Sequence, residues 1–304
     1  MLYNPDRHET LLDIPWSVSG VRSTIDRIVE NGVTTLDNEV RYPKHPHDEE
    51  LEDWAGMSHY IGTGGVLWAL DYLRKERDAA VDESWLIANL TAVAENMEAV
   101  FNKTPLAAGV PMMFGDLPIA MQLLELTGES GWRDLIAKRV EKSTTCPVQE
   151  MMWGVPGVLI LSRLIRDPDL LHDVAPFDAL NIEHMFDAWS HEQDGMTIWL
   201  EELYGQRAPY LGPVHGFTGQ VLPLLQRLSD LTEDERDLTL SRTRDVLLKT
   251  AAREDGLANW PAAIPQPAEM VQYCHGASGV VIAMCDYPVG DADIDQVLLD
   301  AGNL

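Results

Sequence analysis

The chain has 304 residues and a formal net charge of −27, with 49 acidic residues against 22 lysines and arginines. This charge would repel nucleic acid and anionic membrane surfaces, so neither is an expected partner. The length suits one large domain or two ordinary ones, and three scattered cysteines are too few for a disulfide framework, which indicates free thiols in a reducing, cytoplasmic compartment.

The acidic residues are spread along the chain, and lysine is rarer than arginine. A surface of this kind keeps a protein hydrated in a salt-rich cytosol, so the composition predicts a halophilic origin. No apolar run approaches the ~18 residues that cross a bilayer, and we expect no membrane span.

In chain order, residues 1–55 are predicted to hold an N-terminal helix and a polar connector, "RYPKHPHDEELED" at 41–53. Apolar residues then recur at helical spacing in 85–100, 221–228 and 238–252, while the alternation typical of strands is nearly absent. The proline-punctuated stretch 260–270 predicts an ordered loop. Because no flexible linker divides the chain, we predict an all-α fold in a single domain over 1–304, with repeats over 56–304.

One sequence unit recurs along the chain: an apolar or aromatic residue, a glycine, two residues, a second glycine and an apolar helix. Four clear copies are "YIGTGGVLWAL" at Gly62–Gly65, "MMWGVPGVLIL" at Gly154–Gly157, "PVHGFTGQVLPLL" at Gly216–Gly219 and "YCHGASGVVIAM" at Gly276–Gly279. A weaker copy, "MMFGDLPIAMQLL", has Pro118 in place of the second glycine. Paired glycines let the backbone pass close to a neighbouring helix and start a new one.

Five copies at this spacing leave room for one helical hairpin per copy, as in repeat architectures. Such hairpins stack into an open solenoid or close into a ring. In a closed ring the glycine turns gather at one rim, which would bring Asp116, His215, Cys274 and His275 to a common cavity.

The motifs "YIGTGG", "FGDLP", "WGVPG", "VHGFTG" and "QYCHGASG", in this order over about 56–285, resemble the lanthionine synthetase C-like family. The segment "ELYGQRAPYLGPVHG" that leads into the histidine motif strengthens the resemblance. The resemblance implies an α/α toroid of helical hairpins with GxxG turns. The family ring has seven hairpins and the motifs here supply about five, so we expect an incomplete ring.

In that family a zinc ion on two cysteines and one histidine activates a thiol for addition to a dehydrated Ser or Thr. The resemblance makes Cys274 the first zinc cysteine and His275 a substrate-binding residue, with His215 and Asp116 as catalytic groups, either of which could protonate the enolate. The family's second cysteine and its histidine ligand lie beyond the matched motifs, so the ligand set is incomplete in this chain. The residues alone leave other roles open, because Asp116 could cap a helix and Cys274 could be a packed core thiol.

The leading hypothesis is therefore zinc-dependent addition of a thiol to a dehydroamino acid, which forms a lanthionine-type thioether in a peptide or with a thiol small molecule. One alternative is a non-catalytic peptide or thiol-metabolite binding module on the same fold. Another is a carbohydrate-processing α/α-toroid enzyme that uses carboxylates such as Asp116 and Glu150. An open ring edge would expose apolar helix faces, so a homo-oligomer that covers the edge is a further expectation.

Overall fold

The computed structural model describes residue 2, residue 10 and the ranges 12–44, 47, 55–101, 110–203 and 205–304. Within these residues the chain forms helices joined by loops and three small β-hairpins. The all-α prediction is confirmed. The helices are α1 Val18–Thr34, α2 Thr63–Arg77, α3 Glu83–Phe101, α4 Leu117–Thr127, α5 Ser130–Ser143, α6 Val155–Ser162, α7 Pro168–Ala188, α8 Phe217–Leu225, α9 Glu233–Thr250, α10 Ala277–Ala283 and α11 Ala292–Gly302.

The five glycine motifs lie at the starts of α2, α4, α6, α8 and α10, and each of these helices is followed by a second one. The predicted five helical hairpins are therefore present, and α1 is the helix expected in the N-terminal segment. None of the helices in the described ranges is long and apolar enough to cross a membrane.

The motif glycines are required by a close backbone approach. A Cβ atom on Gly216 would overlap the backbone of Tyr210, and one on Gly219 would overlap the carbonyl of Pro213, six residues earlier in both cases. Gly154 and Gly276 meet the carbonyls six residues before them in the same way. The glycines thus let each motif loop fold tightly against the start of its own helix, whereas the sequence suggested a close approach to a neighbouring helix.

The chain folds as two compact units, residues 10–139 and residues 140–304, called here the N-terminal and C-terminal units. A single domain over 1–304 stays a prediction. In the N-terminal unit, α2 packs on α1 and α3, and α3 packs on α4. Leucines of the predicted stripe in α3, Leu86 and Leu90, are fully buried against Leu67 and Leu70 of α2 and Ile119 of α4.

The core of the C-terminal unit is built around three buried tryptophans whose indole N–H groups are all hydrogen-bonded. Trp189 donates to the carbonyl of Thr197 (2.8 Å), Trp199 to Met185 (3.1 Å) and Trp260 to Leu247 (3.0 Å). Trp189 and Trp199 stack with ring centroids 4.0 Å apart, and Phe217 packs against both rings. This aromatic group fixes the first residue of α8 and, with it, the histidine motif directly before the helix.

The strand prediction needs a correction, because the C-terminal unit contains three antiparallel hairpins with three residues in each strand. They pair β1 His191–Gln193 with β2 Met196–Ile198, β3 Glu201–Leu203 with β4 Gln206–Ala208, and β5 Ala252–Glu254 with β6 Leu257–Asn259. Two of the turns are Asp-Gly pairs with positive φ at both residues, for example 52° at Asp255 and 76° at Gly256. Such turns match the twist of a two-residue hairpin, and strands this short escape a search for alternation.

Candidate functional site

The loop that carries His215 is held by backbone hydrogen bonds on both sides. Phe217 N–H donates to the carbonyl of Tyr210 (2.9 Å), Gly216 N–H to Gly212 (2.8 Å), and Leu211 N–H to Ala262 (2.9 Å). These bonds fix the loop between Tyr210 and the first turn of α8. His215 is therefore presented from a rigid position at the helix start.

The imidazole of His215 is hydrogen-bonded to a buried carboxylate, with 2.7 Å between its Nδ1 and Oε2 of Glu150. Glu150 is 0% exposed and lies in the loop before α6. Its other oxygen accepts the backbone N–H of Trp153, and the N–H of Met152 also stabilises the carboxylate. Burial raises the pKa of Glu150 above its ordinary value, while the hydrogen bond and charge of His215 oppose that rise.

The loop that carries Cys274 and His275 is organised by Asn259, a fully buried residue at the end of β6. The Asn259 amide donates to the carbonyls of Ala268 (3.2 Å) and Met270 (3.1 Å), and its Oδ1 accepts the N–H of Ala277 (2.7 Å) at the start of α10. One side chain therefore ties both ends of the Cys-His loop to the same hairpin.

The structure brings the His215 loop and the Cys274–His275 loop together. A Cβ atom on Gly212 would overlap the carbonyl oxygen of Cys274, so the two loops touch backbone to backbone. The rings of His215 and His275 lie 6.5 Å apart, centroid to centroid. Burial and the neighbouring His215 lower the pKa of His275, whose Nδ1 is buried and has no hydrogen-bond partner among the described residues. Cys274 is half-buried and free of a disulfide.

A second buried carboxyl group, Glu201 on β3, lies beside this pair. It is 8% exposed and accepts a hydrogen bond from the Gln220 amide (2.9 Å) and one from the backbone N–H of Gln149. Burial, followed by the charge of Glu150, raises the pKa of Glu201 to about 8. At neutral pH the Glu201 carboxyl is therefore mostly protonated.

Asp116 belongs to the N-terminal unit and forms an ion pair there. It is the N-cap residue of α4 but its side chain makes no capping hydrogen bond, and Arg139 donates hydrogen bonds to both of its oxygens, 2.8 Å from Nε to Oδ1. The alternative that the Asp116 carboxylate caps the helix is thus wrong. Both carboxylate oxygens therefore accept charge-assisted hydrogen bonds from one guanidinium. A catalytic role for Asp116 stays a prediction.

The residues of this site do not fit a complete protein zinc site. In the described ranges, no group of three or more His, Cys, Asp or Glu side chains is placed to hold a metal ion. Zinc in proteins takes three or four protein ligands, and Cys274 with His275 would supply two. The unpartnered Nδ1 of His275 and the free thiol of Cys274 remain candidate donors.

Sequence reasoning missed three residues of the site. Glu150 was considered only as a carboxylate of a carbohydrate enzyme, and neither Glu201 nor Asn259 was singled out. The Asp-Gly turn before Asn259 marks that hairpin in the sequence. No local pattern indicates that Glu150 meets His215, 65 positions away. Of the other two cysteines, Cys146 is buried and Cys285 is exposed.

Comparison with known proteins agrees with this architecture. The sequence profile described as "Lanthionine synthetase C-like protein" matches residues 20–287. Among solved structures, nisin cyclase superposes with a TM-score of 0.56 at 14% sequence identity, over 94% of this chain and 74% of that chain. A search of curated protein sequences finds no match. The structural likeness confirms the α/α-toroid fold class, and the profile covers most of the sequence, so the chain belongs to the lanthionine synthetase C-like family.

Proposed function

We propose that the chain catalyses the addition of a thiol to a dehydroamino acid in a peptide, with His215 as the general base and acid. The observation that carries the proposal is the 2.7 Å hydrogen bond between His215 and the buried Glu150, next to the Cys274–His275 loop. A carboxylate that orients an imidazole is a common arrangement for proton transfer near neutral pH. Nisin cyclase shares the fold, which supports a peptide as the substrate class.

The reaction balances with the residues at hand. With Glu150 ionised, Nδ1 of His215 carries the shared proton, so Nε2 is the basic atom of the neutral ring. Nε2 accepts the proton of the substrate thiol, and the thiolate adds to the β-carbon of the dehydroamino acid. The π electrons move to the α-carbon as an enolate, and the imidazolium returns its proton there. One S–H bond and one C=C π bond are replaced by one S–C and one C–H bond.

Because the described residues supply an incomplete zinc shell, no step is assigned to zinc. The Cys274–His275 loop contacts the His215 loop, and Cys274 and His275 are proposed to hold the substrate thiol and peptide there. A cytoplasmic location also stays a prediction.

The test uses a synthetic peptide that contains one dehydroalanine and one cysteine. After incubation with the protein, iodoacetamide labels only peptide whose thiol has not been consumed, and mass spectrometry counts the unlabelled fraction. We expect His215→Asn and Glu150→Gln to lower the rate of thiol loss about 10²- to 10⁴-fold, the usual contribution of general acid–base catalysis. The control is His172→Asn, because His172 is exposed on α7. An unchanged rate in His215→Asn would overturn the proposal.

The two alternatives predict different outcomes of the same assay. A binding module would bind the peptide, measurable by calorimetry, without any consumption of its thiol. A carbohydrate enzyme needs two carboxylates that face one cleft, and the adjacent Glu150 and Glu201 are both buried, which disfavours this use.

A further inference from the structure

The loop before α10 leaves three large apolar side chains exposed next to Cys274. Met270, Val271 and Tyr273 are 37%, 45% and 40% exposed. Residues 270–285 contain no Asp, Glu, Lys or Arg, although 23% of the whole chain is charged. Large apolar side chains that stay exposed together on a strongly charged protein are typical of a binding surface.

The backbone of this loop is fixed, so the three side chains start from defined positions. Asn259 binds the carbonyl of Met270 (3.1 Å) and the N–H of Ala277 (2.7 Å). The carbonyl of Tyr273 packs against the first turn of α10, because a Cβ atom on Gly279 would overlap it. A contact made from a fixed loop loses little conformational entropy when a ligand binds.

Tyr273 and Cys274 are the central residues of a tight turn. The N–H of Gln272 donates to the carbonyl of His275 (2.9 Å), which closes the turn around them. Burial raises the pKa of Tyr273, and the neighbouring charge of Cys274 raises it further. The carbonyl of Cys274 also contacts the His215 loop. Since consecutive Cα atoms are about 3.8 Å apart, a peptide whose reacting residue lies between Cys274 and His215 has its adjacent residue within reach of the Tyr273 ring.

We propose that Tyr273, with Met270 and Val271 beside it, determines substrate specificity: its ring packs against an apolar or aromatic side chain next to the dehydroamino acid of the peptide. The inference rests on the proposed function, because the position of the peptide is taken from His215. Tyrosine suits this role, since it buries a large apolar ring at a low cost in conformational entropy. An acidic side chain is disfavoured there, because residues 270–285 supply no Lys or Arg and the net charge is −27.

The experiment measures the binding of peptides that cannot react, in which Ala replaces the dehydroalanine and Ser replaces the cysteine. Calorimetry gives the Kd of three such peptides, which carry Phe, Ala or Asp on both sides of the substituted residue. We expect the Phe peptide to bind wild-type protein about 3- to 10-fold more tightly than the Ala peptide, which is the usual contribution of one aromatic pair. The Asp peptide should bind most weakly.

Variants of the protein assign this preference to one ring. Tyr273→Ala should bind the Phe and Ala peptides equally, whereas Tyr273→Phe keeps the ring and should keep the preference. Tyr72→Ala is the matched control, because Tyr72 is 44% exposed but lies on α2, and it should behave as wild type. The comparison of the three peptides in wild-type protein does not depend on the folding of any variant.

Equal Kd values for the Phe and Ala peptides in wild type, or a preference that survives in Tyr273→Ala, would overturn the inference. Because no turnover is measured, a protein that prefers the Phe peptide but consumes no peptide thiol would contradict only the proposed function. A protein that consumes thiol without this preference would contradict only the inference, and failure to bind all three peptides would overturn both.

Discussion

Replacing Glu201 by Gln should change how the stability of the protein depends on pH. The folded-state pKa of Glu201 is raised from 4.5 to about 8 by burial and by the charge of Glu150. Between these values the unfolded carboxyl is ionised whereas the folded one retains its proton, so the native state binds more protons. The stability that Glu201 contributes is therefore fully present below pH 4.5 and is lost as pH rises to about 8.

The magnitude follows from the width of this interval. Each unit of pKa difference corresponds to about 1.4 kcal/mol, so the loss over the whole interval is about 5 kcal/mol. Domains are stable by roughly 5–15 kcal/mol, which makes this a large share of the total. Gln keeps the shape and acceptor of the protonated carboxyl but cannot ionise. The difference in the free energy of unfolding between Glu201→Gln and wild type should therefore move by about 5 kcal/mol in favour of the variant from pH 4.5 to pH 8.

Urea unfolding followed by tryptophan fluorescence measures this difference, because Trp189 and Trp199 are buried in the same unit as Glu201. The titrations of groups that do not interact with Glu201 cancel when the variant is compared with wild type at each pH. Glu202→Gln is the control and should leave the difference flat, since Glu202 is exposed. A flat difference for Glu201→Gln as well, within about 1 kcal/mol, would refute the assignment of a buried, protonated Glu201.

Further predictions concern the thiols, the metal, the assembly and the surface. Cys274 is half-buried and Cys146 buried, so iodoacetamide should label Cys274 before Cys146, and mass spectrometry of the digested protein would show the order. Zinc should bind weakly and be lost in Cys274→Ser; one zinc per chain retained after dialysis would instead reveal further ligands. Trp16 is 78% exposed within a row of apolar residues before and in α1, so the chain should self-associate and Trp16→Glu should lower its mass in light scattering. The net charge of −27 predicts a melting temperature that rises between about 0.1 and 2 M KCl.

The sequence by itself determined the repeat architecture. Helical periodicity placed α3, whose Leu86 and Leu90 are fully buried, and the glycine motifs located the starts of five helices. These features are local, because a glycine is needed wherever the backbone folds onto a carbonyl six residues away. The sequence also named His215, Cys274 and His275, since each lies in a motif loop.

Only the tertiary structure decided which side chains act on one another. Glu150 and His215 are 65 positions apart in the sequence. Asn259 accepts a hydrogen bond from Ala277, 18 positions away, and no local sequence pattern links the two residues. The short strand that buries Glu201 was hidden because three residues are too few to show alternation. The ionisation of Glu201 depends on its burial and on the charge of Glu150, and both quantities arise only when β3 and the loop before α6 pack together. Burial and the proximity of charges arise from three-dimensional packing. A local sequence pattern therefore cannot predict either of them for an individual residue.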